Sequence, residues 1–494
     1  MIPSLKSSCL ALVCISVLIF FCAAKVEAGA PVLGKDPLPA AHLFEEHSEA
    51  LAHWASRGIR GAVLINIDAH DDMRLVPKVK IEKLRRIYRE KEWDLMSDAR
   101  SGSKASLYHI GNFIFAAARL GIVDRVYWVI PFPYFAESNP ENALREFLRG
   151  YAFPEEDIRT FRLEDGRFRG RFQGVPLIIC DAGALPDVTS PLILSVDVDF
   201  FPPFARAAGM DLSAAVYSVF GELFQKEYRI QDAFVSYSVY GGYLSPLHRW
   251  VGDLCVEVME QPELLQGPLP KSFELQQLAD RLYEEDRAEA LLETAVAGLD
   301  RFPGDPCLKL YAAFASFGIG DTAQAYHYAK RACLEAPGYC PGLADIGQCL
   351  IDQGRVEESL PFFETAYSLQ PEMNYRLKNL ADALEAAGRH REALRYHEIH
   401  EARNGAFPAA FRIGGIHLGL EEEDKANHAF WRGIAAVEKD TYIEVRCSKD
   451  ASALRKAAVF FEERGMVETS ALLKRHPFLR DVFASGGSEL ELGE

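Results

Sequence analysis

At 494 residues the chain is too long for a single hydrophobic core, and two domains are expected. A 49% hydrophobic and 25% charged composition is that of an ordinary globular protein. The formal net charge of −17 excludes a nucleic-acid surface, which would be basic.

Met1 to Lys6 is a short segment with one positive charge, followed by an uncharged apolar run from Cys9 to Ala24. Val26-Glu27-Ala28 offers small residues for cleavage before Gly29, so 1–28 reads as a secretory signal. The protein is then exported, periplasmic or secreted, with no membrane contact after cleavage. The alternative is an anchor through an uncleaved N-terminal segment. Seven cysteines follow the signal, an odd number without a CxxC pair, which is neither a disulfide framework nor a zinc pattern. Cys307, Cys333, Cys340 and Cys349 lie close together, and one bridge among them is compatible with an oxidising compartment.

Residues 40–57 read as a helix bearing His42, His47 and His53. Ala62 to Ile67 is a short apolar strand, and it runs straight into Asp68-Ala-His70-Asp-Asp72. Buried strands do not tolerate such a cluster unless its charge is compensated. Carboxylates with imidazole suit manganese, iron or zinc. Lys78 to Lys91 is a basic, solvated helix or lid, and a helix is expected over 106–120, beginning near Tyr108. Strands are expected over 125–131, 175–180 and 233–239, and helices over 140–151 and 212–224.

A second acidic strand end, Pro191-Leu-Ile-Leu-Ser-Val196 followed by Asp197-Val-Asp199, repeats the first. Two such strands can be neighbours in one parallel sheet, and open α/β sheets carry their sites at that edge. Residues 29–265 thus read as a three-layer, parallel-sheet α/β domain. In an extended segment Asp68, His70 and Asp72 face one side, and Asp71 faces the other. Two cations about 3.5 Å apart could share Asp68 and Asp197 and trap a hydroxide between them.

Beyond a linker at 266–274 the chain becomes helical and repetitive. Pro303, Pro337 and Pro371 are spaced by 34 residues, as are Gly320, Gly354 and Gly388, and Ala325, Ser359 and Ala393. This register resembles the tetratricopeptide repeat. It is clear over 303–404 and degenerate over 271–302 and 405–440. The resemblance implies an all-α solenoid over 275–440 with a surface for a peptide or protein, or a packing module. Residues 441–483 read as a helical cap and 484–494 as a disordered tail.

Asp68-Ala-His70-Asp-Asp72 and Ser195-Val-Asp197-Val-Asp199 together resemble two signatures of the arginase/deacetylase (ureohydrolase) superfamily. His47, 21 residues before Asp68, stands where the family's first histidine is expected. With Gly111-Asn-Phe113, the pattern is most similar to the arginase-like branch that includes peptide arginases, which convert arginine to ornithine within peptides. The resemblance implies a pair of divalent ions, Mn2+ by preference. His47, Asp68, Asp72 and Asp197 would hold one, and Asp68, His70, Asp197 and Asp199 the other. Asp72 would orient the hydroxide. His109 is a general acid or an ordinary helix-start histidine.

The chain also departs from the arginase pattern. Pro202 replaces a third aspartate, no proton-shuttle histidine follows Asp72, and no guanidinium-binding glutamate lies near 235–243. Free arginine is therefore not the expected substrate. A tetratricopeptide scaffold with a catalytically degenerate arginase-like domain is the alternative. An amide deacylase, with Tyr240 or Tyr243 polarising a carbonyl, is a third reading.

Overall fold

The computed structural model describes residues 30–36, 38, 41–98, 106–240, 242–439, 448–476, 479 and 482–483. The targeting segment 1–28, Cys447 and the tail 484–494 lie outside the described residues. Within them, no helix is long and apolar enough to cross a membrane.

Among the described residues, eight strands form one sheet: β1 (His42–Phe44), β2 (Ala62–Ile67), β3 (Val123–Val129), β4 (Arg162–Glu164), β5 (Arg167–Phe172), β6 (Val175–Cys180), β7 (Leu192–Asp197) and β8 (Ile230–Ser236). Their order is β1-β8-β7-β2-β3-β6-β5-β4. β2 is parallel to β7, with Ile67 opposite Val196, so the two acidic strand ends are neighbours as expected. Both strands are almost wholly buried, which explains their unbroken apolar runs.

The sheet is mixed rather than purely parallel, because β4 and β5 form an antiparallel hairpin. Its turn is Asp165-Gly166, with φ of +49° and +71°. Both residues thus adopt the positive φ that a tight hairpin turn requires. Helices cover both faces. Helices 49–56, 78–90, 113–119 and 140–150 contribute to the core on one side, and 201–208, 212–225 and 249–260 to the core on the other.

Three expected helices differ. Residues 42–44 are edge strand β1, and the helix begins only at Glu49. Parallel pairing with β8 claims this segment. The 78–90 helix is not wholly solvated: Ile81, Leu84, Ile87 and Tyr88 are buried beneath its basic face. The expected helix over 106–120 is a 3-10 turn at Ile110–Asn112 followed by a short helix, Phe113–Arg119.

The described residues of 271–475 form six helix pairs: 271–284 with 288–301, 306–318 with 322–335, 341–352 with 356–369, 374–386 with 390–404, 409–419 with 423–439, and 448–463 with 467–475. The first helix begins inside the expected linker. Gly320, Gly354 and Gly388 occupy the turns within pairs with φ of +86°, +75° and +70°. Ala325, Ser359 and Ala393 are fully buried, as their close-packing role requires. The pairs with weak sequence register keep the same turn conformation using Asp286 and Glu421, at φ +54° and +60°. A side chain strains there, but the turn survives. Cys333 and Cys340 are bridged.

The α/β core on the 249–260 side runs without a break into the first three helix pairs. Arg249 is buried and gives Glu45 two hydrogen bonds, at 2.6 and 2.9 Å, while its guanidinium lies over Tyr237 and Tyr339. Trp250 is fully buried in this shared core, beside Phe273 of the first repeat helix. Trp250→Ala is expected to cost about 3–5 kcal/mol. Denaturant unfolding of the variant should shift the α/β and repeat signals together, because one core stabilises both.

Candidate metal centre

β2 and β7 deliver Asp68 and Asp197 side by side at their C-terminal ends. β7 closes directly into a 3-10 turn, 198–200, in which the Asp197 carboxylate accepts the Asp199 N–H at 3.1 Å. That turn aims Asp199 back at the β2 end. Its Oδ1 accepts the Ala69 N–H at 3.3 Å, and its Oδ2 lies 2.7 Å from His70 Nδ1. After β2 the chain does not stay extended. Asp68 Oδ1 accepts the His70 N–H at 2.7 Å, and Asp72 has φ +49°. Asp72 therefore reaches the cluster through a left-handed turn, not by strand alternation. Asp71 turns away, as expected: its Oδ1 accepts the Met73 N–H at 2.6 Å.

His47 lies just before the 49–56 helix and is buried, its ring stacked on Phe113. Its Nδ1 is 2.5 Å from Asp197, 3.3 Å from Asp72 and 3.7 Å from Asp68. Two groups of potential ligands result, His47/Asp68/Asp72 and Asp68/His70/Asp199, and they share Asp68. All six residues expected to act as ligands thus meet in one place. His109 is held otherwise. Its backbone and ring bond Asn112, and its Nδ1 accepts the Gly111 N–H, so its described hydrogen bonds cap its own turn.

Three supporting groups escape a search for charged motifs. Asn66 Nδ2 donates to Asp68 at 3.1 Å, and Trp128 Nε1 donates to the Asp68 carbonyl at 2.9 Å. Ser238 Oγ donates to Asp197 Oδ2 at 2.5 Å. The signal was a polar residue inside each apolar strand region: Asn66 in Leu-Ile-Asn-Ile, and alternate serines at 236 and 238. His70 is the half-buried member, with the Tyr243 ring 4.5 Å away at the solvent side. Tyr240 faces the repeats instead, accepting Gln370 Nε2 at 3.0 Å.

The electrostatics are strained. Asp68, Asp72, Asp197 and Asp199 are buried, and the described ion pairs answer them only with the imidazoles of His47 and His70. Burial pushes the Asp72 carboxyl up to about 7, although His47 opposes the shift. Asp68 is driven far upward by burial and by Asp72, Asp199 and Asp197. Burial alone would lower His47, but Asp72 and Asp197 outweigh it and raise its pKa to about 10. Asp72 Oδ2 and Asn66 Oδ1 are buried without hydrogen-bond partners. A concentrated buried negative charge with free acceptor atoms is a cation site by its chemistry.

No known family model and no curated protein matches the chain. Among solved structures, a Pseudomonas aeruginosa pilF protein matches at 17% identity and TM-score 0.27, over 43% of this chain and 96% of its own. YrrB, described as a TPR protein with an unusual peptide-binding site, matches at 15% identity and TM-score 0.26, over 36% of this chain and 89% of its own. A MamA fragment from Desulfovibrio magneticus RS-1 matches at 12% and 0.27, over 36% and 100%. Likeness this low carries no weight. The repeat architecture of this chain rests on its own 34-residue register and helix pairs.

Proposed function

We propose that the chain is an exported hydrolase of the ureohydrolase type with two divalent ions, most favourably Mn2+. Its substrate is the guanidinium of an arginine side chain within a peptide or protein recruited by the repeats. The observation that carries this reading is the pair of ligand groups sharing Asp68 in a buried, under-neutralised cluster. The residues fit such ions: hard carboxylates dominate, with one imidazole for each group.

His47, Asp68, Asp72 and Asp197 would hold one ion, and Asp68, His70, Asp197 and Asp199 the other. When bound, the ions supply Lewis acidity and lower the pKa of water. The chain's own residues do the rest. Ser238 and Asn66 fix the rotamers of Asp197 and Asp68. Asp72 Oδ2, which has no hydrogen-bond partner, orients the attacking water. Water adds to the guanidinium carbon, and the bond from that carbon to the side-chain nitrogen breaks. Urea leaves, and the ornithine amine keeps the proton. The Cys333–Cys340 bridge suits export to an oxidising compartment.

Purified protein supplied with Mn2+ is expected to release urea from an arginine-containing peptide, and an Asp197→Ala variant is expected to release none. Equal urea from both proteins would refute the reading. Acyl release in place of urea would mark the amide deacylase. A second reading, an inert domain on a repeat scaffold, is favoured by one observation: His47 and His70 already pair with Asp197 and Asp199 at 2.5 and 2.7 Å. Elemental analysis separates the two, because a scaffold would retain no Mn2+ while still binding a partner.

A further inference from the structure

His42, His47 and His53 fall within twelve residues, yet the fold uses them at two different places. His47 joins the carboxylate cluster. His42, on edge strand β1, and His53, in the last turn of the 49–56 helix, converge instead on Asp232 near the start of β8. Asp232 lies four residues before Ser236, so this second point is about 13 Å along the strand from the first.

His53 Nε2 stands 3.2 Å from Asp232 Oδ2, and His42 Nε2 stands 3.8 Å from Asp232 Oδ1. The two rings are 4.1 Å apart, edge to face. Asp232 is buried at 4% exposure, whereas the imidazoles are partly open to solvent. Arg57 Nη1 occupies Oδ1 at 2.7 Å. Oδ2 and His53 Nε2 are both buried without hydrogen-bond partners. The two atoms thus pair at 3.2 Å without hydrogen-bond geometry, the arrangement of two ligands that face one cation.

From these residues we infer a second, separate cation site, formed by His42, His53 and Asp232, for a zinc-like transition metal. Tetrahedral Zn2+ with bonds of 2.0–2.1 Å sets neighbouring ligand atoms about 3.4 Å apart, close to the 3.2 Å between His53 Nε2 and Asp232 Oδ2. Two imidazoles and one carboxylate are softer than the carboxylate-dominated cluster, so the two sites differ in the metal they prefer. Arg57, bonded to the other oxygen, orients the carboxylate and offsets part of its charge. The open side leaves room for a fourth ligand from solvent. The site joins β1, the 49–56 helix and β8, and His47 lies in the segment between the first two. Zinc there would clamp the stretch that presents His47 without entering the chemistry.

The test uses the full chain, stripped with chelator, loaded with Zn2+, dialysed and counted by elemental analysis. Wild type is expected to retain one more zinc than His53→Ala or His42→Gln. Zinc should also raise the melting temperature of wild type more than that of either variant. His42 lies at a half-exposed edge, so His42→Gln carries the test if His53→Ala does not fold. Equal zinc counts in wild type and the folded variant would overturn the site.

Discussion

Asp68→Ala is expected to remove both Mn2+ ions at once, whereas His47→Ala and His70→Ala should each remove one. The asymmetry follows from membership: Asp68 belongs to both ligand groups, His47 to one and His70 to the other. Asp68 is also the best-anchored carboxylate, with hydrogen bonds from Asn66, the His70 N–H and, through its carbonyl, Trp128. Losing it leaves those donors aimed at a cavity. Hydrolysis by Asp68→Ala should fall well beyond the roughly 10–100-fold that outer hydrogen-bond partners of a ligand cost. Elemental analysis after dialysis gives the count directly. One ion retained by Asp68→Ala would mean that Asp68 does not bridge the two groups.

Much of this site was legible in the sequence because charge is expensive inside a sheet. Two apolar runs, each ending in aspartates, had to be adjacent strand ends or solvated loops, and β2 and β7 proved to be neighbours. The route by which Asp72 arrives was not legible, since alternation assumes extended chain and a left-handed turn leaves no pattern. The 42–44 segment was misread for a related reason. Its pairing partner, β8, is almost two hundred residues away, and such a contact overrides local helical periodicity. The hairpin at 162–172 did leave a signal, Asp-Gly between alternating Arg and Phe, but its arginine-rich strands hide the apolar face. In the repeats, glycine marks the turns at 320, 354, 388 and 465. Asp286 and Glu421 make the same turns under strain, and so the outer pairs looked degenerate.

Without metal, the protein is expected to melt at lower temperature at pH 8.5 than at pH 7, and Mn2+ should remove most of the difference. His47 is raised to about 10 from an ordinary value near 6.5. The folded state therefore holds a proton that the unfolded chain releases, and the stability this gives is lost progressively as pH rises from 6.5 toward 10. Asp72, raised to about 7, and Asp68, driven well above the usual carboxylate range, act in the same direction: the fold favours their protonated forms, and each deprotonation destabilises it. The opposing groups are silent in this window. His400 is lowered to about 4, so it is neutral in both states above pH 7, and Glu385, lowered to about 2, is ionised in both. At about 1.4 kcal/mol per pKa unit, His47 alone gives at most about 2 kcal/mol between pH 7 and 8.5. Over a unit in which the α/β domain and the repeats unfold together, that is roughly 2 °C. Mn2+ binds the deprotonated ligands, so its affinity rises over the same interval. At a hundredfold excess over its dissociation constant it returns about 2.7 kcal/mol. The melting temperature gained on adding Mn2+ should therefore be larger at pH 8.5 than at pH 7. A metal-free melting temperature that stays level or rises over this interval would mean that the cluster is not held together by shared protons. The carboxylates would then have no need of a cation.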